Sequence, residues 1–392
     1  MARPRVALII TTYTKASHAD VLGTRLINGY SWGGEHIDSR VEVVSVHLEQ
    51  LGRSNPNTGE INPDMGMDIC AAAGIPTYPT PAEALGNGKP GVNVDGVVVI
   101  GEHGDYENNE YGQKLYPRRR LIDAVMSAMI AADTFVPIFN DKHLAWSHTD
   151  ALAIRDNCAR LGIPLLAGST VPIAWRLPKG AHWPMGAEMT EAVGVAYGPF
   201  EAYGYHALEG VQAFAERRAG GESGAAEVRG FTDEAALAAV DELDPDLVAK
   251  AFAARGLSDE DTAKAREEVK QVITVTHTDG LKSAVIISPV VEGFAVAARG
   301  PQHEVAAELR LQGEPYSHFI FLARAAESLI INGTPPYPVE RTLFTGGVLD
   351  HALRNAAGAV EPESPELTAL GYQVPEQVPD TGVDLEPYDL RS

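Results

Sequence analysis

Two loops limit what this chain can fold into more than any other feature. Gly101-Glu102-His103-Gly104-Asp105 directly follows the apolar run 97–100, and Phe139-Asn140-Asp141-Lys142-His143 directly follows the run 134–138. Short runs apolar on both faces read as buried parallel strands. In an open α/β sheet, ligands sit in the crevice beyond the carboxyl ends of such strands. Carboxylates, two imidazoles and an amine are therefore expected to converge there. Further strands at 5–10, 41–47 and 165–167 alternate with helical spacing after 16, at 121–132 and at 149–161. That alternation predicts a Rossmann-like, doubly wound parallel sheet over residues 1–170.

The turn after the first strand, residues 11–18, contains no glycine. A dinucleotide fingerprint needs glycines so that backbone can approach the pyrophosphate at the helix start. The hydroxyls of Thr11 and Thr12, with Lys15, are the candidate grip on such an anion; a capped helix start is the plainer reading. Residues 55–66, rich in Asn, Pro and Gly, read as a loop or lid, and the long polar stretch 102–117 as a substrate-facing loop. Arg118, Arg119 and Arg120 read as an ion-paired helix face or an anion site.

Beyond residue 170 the pattern changes to a second α/β domain, 171–358, on a largely antiparallel, open-faced sheet. Strands are expected at 192–203, 227–231, 272–277, 283–288 and 294–299, and helices at 207–217, 317–329 and 339–355. The alanine-rich insertion 232–270 reads as a solvated helical pair, because its charges are evenly spread. The tail 359–392, with eight acidic residues against one arginine, is expected to drape loosely.

Composition narrows the function classes. A formal charge of -22 over 392 residues repels phosphate backbones and anionic membranes, so no nucleic-acid or membrane partner is expected. No apolar run approaches the ~20 residues that span a bilayer. Two cysteines, Cys70 and Cys158, make neither a disulfide framework nor a thiolate cage, and a reducing, cytoplasmic setting is expected.

Four stretches carry a family resemblance over roughly residues 5–355. They are Ala71-Ala72-Ala73-Gly74-Ile75-Pro76-Thr77-Tyr78 with Glu83-Ala84-Leu85; Asn140-Asp141-Lys142-His143-Leu144 with the following helix and Gly162-Ile163-Pro164-Leu165-Leu166-Ala167-Gly168; Ala202-Tyr203-Gly204-Tyr205-His206-Ala207-Leu208-Glu209; and the closing helix from Val339-Glu340-Arg341. In this order they resemble the glucose-fructose oxidoreductase and inositol dehydrogenase (Gfo/Idh/MocA) family. The resemblance implies NAD(P) across the first domain, Lys142 and His206 acting on a sugar or cyclitol hydroxyl, and a homo-oligomer packed through the open sheet face. The chain departs from the family pattern in its glycine-free turn, in Ala202 where the family has aspartate, and in His143 where it has proline.

At the same crevice the residues suggest metal chemistry. Glu102, His103, His143, Glu201, His206 and Glu209 form a mixed imidazole and carboxylate set that suits Mn, Zn or Fe. His206 and Glu209, three apart at a helix start, suit either one ion or a plain His–Glu hydrogen bond. Lys142 reads as a general base with a depressed pKa or as an ion-pair partner, and His103 as a further catalytic group. His18 and the remaining histidines have no local partner and read as surface or core. The leading expectation is a redox-neutral, metal-assisted lyase, dehydratase or epimerase acting on a sugar, cyclitol or nucleoside. An NAD(P)-dependent oxidoreductase, or a lyase with tightly bound NAD, is the alternative. A sugar-binding protein without catalysis is the third class.

Overall fold

In the computed structural model, residues 2–32, 34–54 and 61–376 are described. Six strands form a fully parallel sheet: β1 (Arg5–Thr12), β2 (Glu42–Gln50), β3 (Thr77–Tyr78), β4 (Gly96–Ile100), β5 (Ile138–Asp141) and β6 (Leu165–Gly168), in the order β6-β5-β4-β1-β2-β3. This is the doubly wound dinucleotide-fold order, whose reversal lies between β1 and β4. β1 from Val6 to Ile10 and β4 from Val97 to Ile100 are fully buried, which explains their unbroken apolar sequence.

Seven strands form the second sheet. They are β7 (Trp175–Leu177), β8 (Glu191–Ala196), β9 (Ala225–Thr232), β10 (Gln271–His277), β11 (Lys282–Ile287), β12 (Phe294–Arg299) and β13 (Glu304–Arg310), in the order β7-β13-β12-β8-β11-β10-β9. All its pairs are antiparallel except β8 with β11. Helices Phe200–Ala215 and Glu340–Ala356 cover one face.

Several expectations change here. The expected strand 192–203 ends at Ala196, and helix Phe200–Ala215 begins at Pro199, whose missing N–H costs nothing at a helix start. His206 thus lies inside a helix rather than at its start. The strand expected at 134–138 is instead Ile138–Asp141, so Lys142 follows it directly. The insertion is not a solvated pair. It forms three helices, Asp233–Asp241, Pro245–Ala254 and Asp259–Glu267, whose Ala236, Val240, Leu247, Val248 and Phe252 bury against Val193, Val195 and Ile286. They cover the sheet face expected to be open, because alanine and valine face inward while the charges face out. Helix Phe319–Asn332 crosses back to the first sheet, packing Leu322 and Leu329 with Val6 and Leu8. The tail does not drape as far as residue 376: Tyr372 is buried, accepts from Gln212 Nε2 at 2.8 Å and donates to Glu216 at 2.9 Å. Part of the loop at 55–66 and the tail beyond 376 lie outside the described residues.

Candidate active site

The crevice beyond β1, β4 and β5 opens into a cavity of about 470 Å³, a size suited to a small ligand. His18, Glu102, His103, Lys142, Ser169 and His206 line it. Tyr116, Tyr203, Phe294, Tyr316 and Phe319 add an aromatic wall.

Lys142 stands at the end of β5 with a φ of 64°, and His103 after β4 with a φ of 68°. Left-handed backbone at non-glycine residues costs energy and gathers at functional sites. The Lys142 N–H still donates to Gly168 O at 2.9 Å, which extends the ladder by one step and fixes the turn. Asn140 Nδ2 ties the same turn from inside, donating to His143 O at 3.1 Å. Gly101 leaves room for the stem of Arg118, since a Cβ there would meet Arg118 Cγ at 2.7 Å. Arg118, fully buried, thereby reaches Glu102 Oε2, while Lys142 Nζ donates to Glu102 Oε1 at 3.0 Å.

This arrangement decides the charge states. Burial pushes Glu102 up, but Lys142 and Arg118 outweigh it and hold the carboxyl well below its usual range. Burial alone would lower Lys142, yet Glu102 and Glu201 raise it above 10.5. The expectation of a depressed lysine base is therefore corrected: Lys142 is an ammonium and a hydrogen-bond donor. His143 is held well below 6.5 by burial and by Arg118, whose Nη1 lies 3.2 Å from His143 Nε2. Burial raises Glu201 above 4.5; its Oε1 lies 3.5 Å from His143 Nε2 and has no hydrogen-bond partner.

Two imidazoles in the cavity are backed by carboxylates. His206 Nδ1 lies 3.1 Å from Ser169 Oγ and 3.3 Å from Glu209 Oε2, and the Ser169 hydroxyl donates to Glu209. Glu209 Oε1 accepts the Ser169 N–H at 3.0 Å. Gly168, at φ 135°, holds a backbone conformation that side chains rarely adopt, and a Cβ there would crowd Thr342 Oγ1 at 3.1 Å and the Tyr337 hydroxyl at 3.3 Å. Burial and then the Lys142 charge lower the His206 pKa below 6.5, so the ring is neutral and its Nε2 is a base. The second dyad is His18, whose Nδ1 lies 2.5 Å from Asp141 Oδ2, with Asp141 fully buried. No local pattern marks this pair, because its members stand 123 residues apart. The one available signal was position: His18 opens the first helix and Asp141 ends β5, both at carboxyl ends of central strands.

The six expected metal ligands do not form a cation cage. Both Glu102 oxygens face cations, both Glu209 oxygens are taken by Ser169, and His143 Nε2 faces a guanidinium. His103 Nδ1 accepts the His18 N–H at 3.3 Å. Among the described residues, no three His, Cys, Asp or Glu side chains gather as a metal-holding group.

The expected dinucleotide grip is corrected as well. Thr11 Oγ1 donates to Glu102 O at 2.9 Å and Thr12 Oγ1 to Gly52 O at 3.2 Å, both fully buried. Lys15 lines a different cavity, with Asp20, Arg25 and Tyr316. Several N–H groups of the turn and helix start are occupied: Ala16 N donates to Asp20 Oδ2 at 2.8 Å, Thr14 N to Ser17 Oγ at 3.2 Å, and Asp20 N to Ser17 Oγ at 3.3 Å. A carboxylate therefore sits where helix-start donors would hold a pyrophosphate. At the end of β2, where a ribose is held in this fold, Gln50 Oε1 accepts the Asp105 N–H at 2.8 Å, and Glu49 takes Tyr106 and Arg120, each at 2.7 Å. The loop 102–117 folds over that end. The residues present do not fit a dinucleotide in this seat.

No family model matches the chain, and no curated protein matches it. Among solved structures, the architecture is that of the Gfo/Idh/MocA-type dehydrogenases. GenD2 from gentamicin A biosynthesis, in complex with NAD, is 16% identical over 93% of this chain and 97% of its own, with a TM-score of 0.55. The myo-inositol 2-dehydrogenase of Lactobacillus plantarum is 11% identical over 92% and 100%, with a TM-score of 0.56. An oxidoreductase from Agrobacterium radiobacter, in complex with NAD+, L-tartaric acid and magnesium, is 14% identical over 92% and 98%, with a TM-score of 0.53. Identity at this level carries the fold and leaves the reaction to the site.

Proposed function

We propose that the protein is an enzyme of redox-neutral proton transfer on a keto-bearing polyol, such as a sugar or cyclitol, performing epimerisation or elimination of water. One observation carries this reading: two carboxylate-backed imidazoles reach one cavity beside a lysine kept as an ammonium. One dyad, with His206 as base, removes the proton from the carbon next to the carbonyl. The Lys142 ammonium donates to the enolate oxygen that forms, taking the place of the metal expected from sequence. His18, backed by Asp141, returns a proton to that carbon, giving the epimer, or protonates a departing hydroxyl, giving water. His103 and the aromatic wall orient the ring.

The second reading, an NAD(P)-dependent oxidoreductase, is favoured by the NAD-bound structures of the same fold. Incubating the protein with a panel of ketoses and keto-cyclitols in deuterated water, without nucleotide, separates the two. Proton NMR is expected to show deuterium entering next to the carbonyl with wild type and not with His206→Asn. No exchange, together with nicotinamide reduction on the corresponding polyols, would replace the proposal with the second reading.

A further inference from the structure

A second polar pocket lies away from the catalytic cavity, between the segment 172–176, helix Phe200–Ala215 and helix Glu340–Ala356. Arg176, Arg217, Arg341 and His182 line it, with Glu216 as the one carboxylate in the lining. Arg176 is 8% exposed, and Arg341 6%. Glu216 is already committed: it accepts from Arg341 Nε at 2.9 Å and Nη2 at 2.6 Å, and from the Tyr372 hydroxyl at 2.9 Å. Arg176 Nη2 donates only to Pro172 O, at 2.8 Å.

Two buried guanidinium donors around this pocket have no partner: Arg176 Nε and Arg341 Nη1. A buried guanidinium without a counter-charge costs several kcal/mol, and orphaned donors add to the cost. Guanidinium N–H groups only donate, so a water placed among them would need further acceptors for its own hydrogens. An anion accepts from every side and supplies the missing charge. The void, about 30 Å³, has room for one or two water-sized groups. Burial and the neighbouring Arg341 pull Arg176 down to about 10, and burial with Arg176 pulls His182 to about 4. At neutral pH Arg176 is still charged.

We propose that this pocket is a binding site for a small monovalent anion, a halide or a single carboxylate group, held by Arg176 and Arg341 and gated by Arg217. The ion clamps the segment that follows Ser169 and Thr170 onto helix Glu340–Ala356. Arg217 stands at the open end, where its Nη1 donates to Glu376 O at 3.4 Å.

The test is thermal unfolding of the full chain at constant ionic strength, with sodium gluconate exchanged for sodium chloride or sodium formate. A saturable rise in melting temperature, roughly 3 °C at a hundredfold excess over the dissociation constant, is expected. Saturation by chloride assigns a halide site, and saturation by formate alone assigns a carboxylate site. Arg176→Gln is expected to lose the shift. Should that variant fail to fold, Arg217→Gln, half-buried at the mouth, should move the midpoint to higher anion concentration. Identical melting in all three salts, or an undiminished shift in Arg217→Gln together with no anomalous peak in bromide-soaked crystals, would overturn the site.

Discussion

Lys142 is held as a cation by its neighbours rather than freed as a base, and that sets what its loss should do. In Lys142→Met the oxyanion loses its donor while His206 and His18 keep their carboxylate partners, so kcat is expected to fall by about 10²–10³ with the fold retained. Steady-state kinetics beside circular dichroism checks both parts. His206 titrates below the ordinary imidazole because burial and Lys142 disfavour its charge, so its base form persists into mild acid. The acid limb of kcat/KM should therefore lie below pH 6.5; a limb above that value would remove His206 from the role. Asp141→Asn leaves the His18 ring without its carboxylate, and a loss of roughly 10²–10⁴ in kcat is expected from losing one acid–base partner. An unchanged rate would make His18 a wall residue.

The first turn and helix carry the cofactor question at the scale of an element. If Asp20, Ser17 and His103 keep the turn's donors, millimolar NADH or NADPH should leave the melting temperature unmoved. A micromolar ligand at that concentration would add about 4 kcal/mol, which a melting curve detects readily. The strands of the first sheet were legible in the sequence because parallel strands buried on both faces leave unbroken apolar runs. The place of the site was legible for the same reason, since Glu102, His103 and Lys142 follow those runs directly. The chemistry was less so. Which cation Glu102 meets depends on Arg118, sixteen residues on, threading past Gly101, and which acid backs His18 depends on a strand 123 residues away. The start of helix Phe200–Ala215 is hidden in the sequence because Phe200 and Tyr203 are strand-favouring residues; Gly198-Pro199 is the boundary signal there.

Across the whole molecule, several histidines are buried in their neutral form. His143, His148 and His206 are lowered by burial first, His182 to about 4 and His318 to about 3. Unfolded, each would take up its proton near pH 6.5, so between roughly pH 3 and 6.5 the unfolded chain binds more protons and stability must rise with pH. Urea unfolding at stepped pH should show the midpoint falling as the solution is acidified below 6.5. A flat profile over that range would mean these rings are charged in the native state. The helices of the insertion have a consequence of another kind. Thr232 pairs with Gln271 and the Asp233 N–H meets Lys270 O at 3.0 Å, so the insertion leaves and re-enters a β-hairpin at almost one point and can be excised there. A chain that carries its own cover for the second sheet seals that face without meeting another copy. Its refolding should then be first order, with a rate that does not change with protein concentration, whereas the excised chain should refold faster the more of it there is.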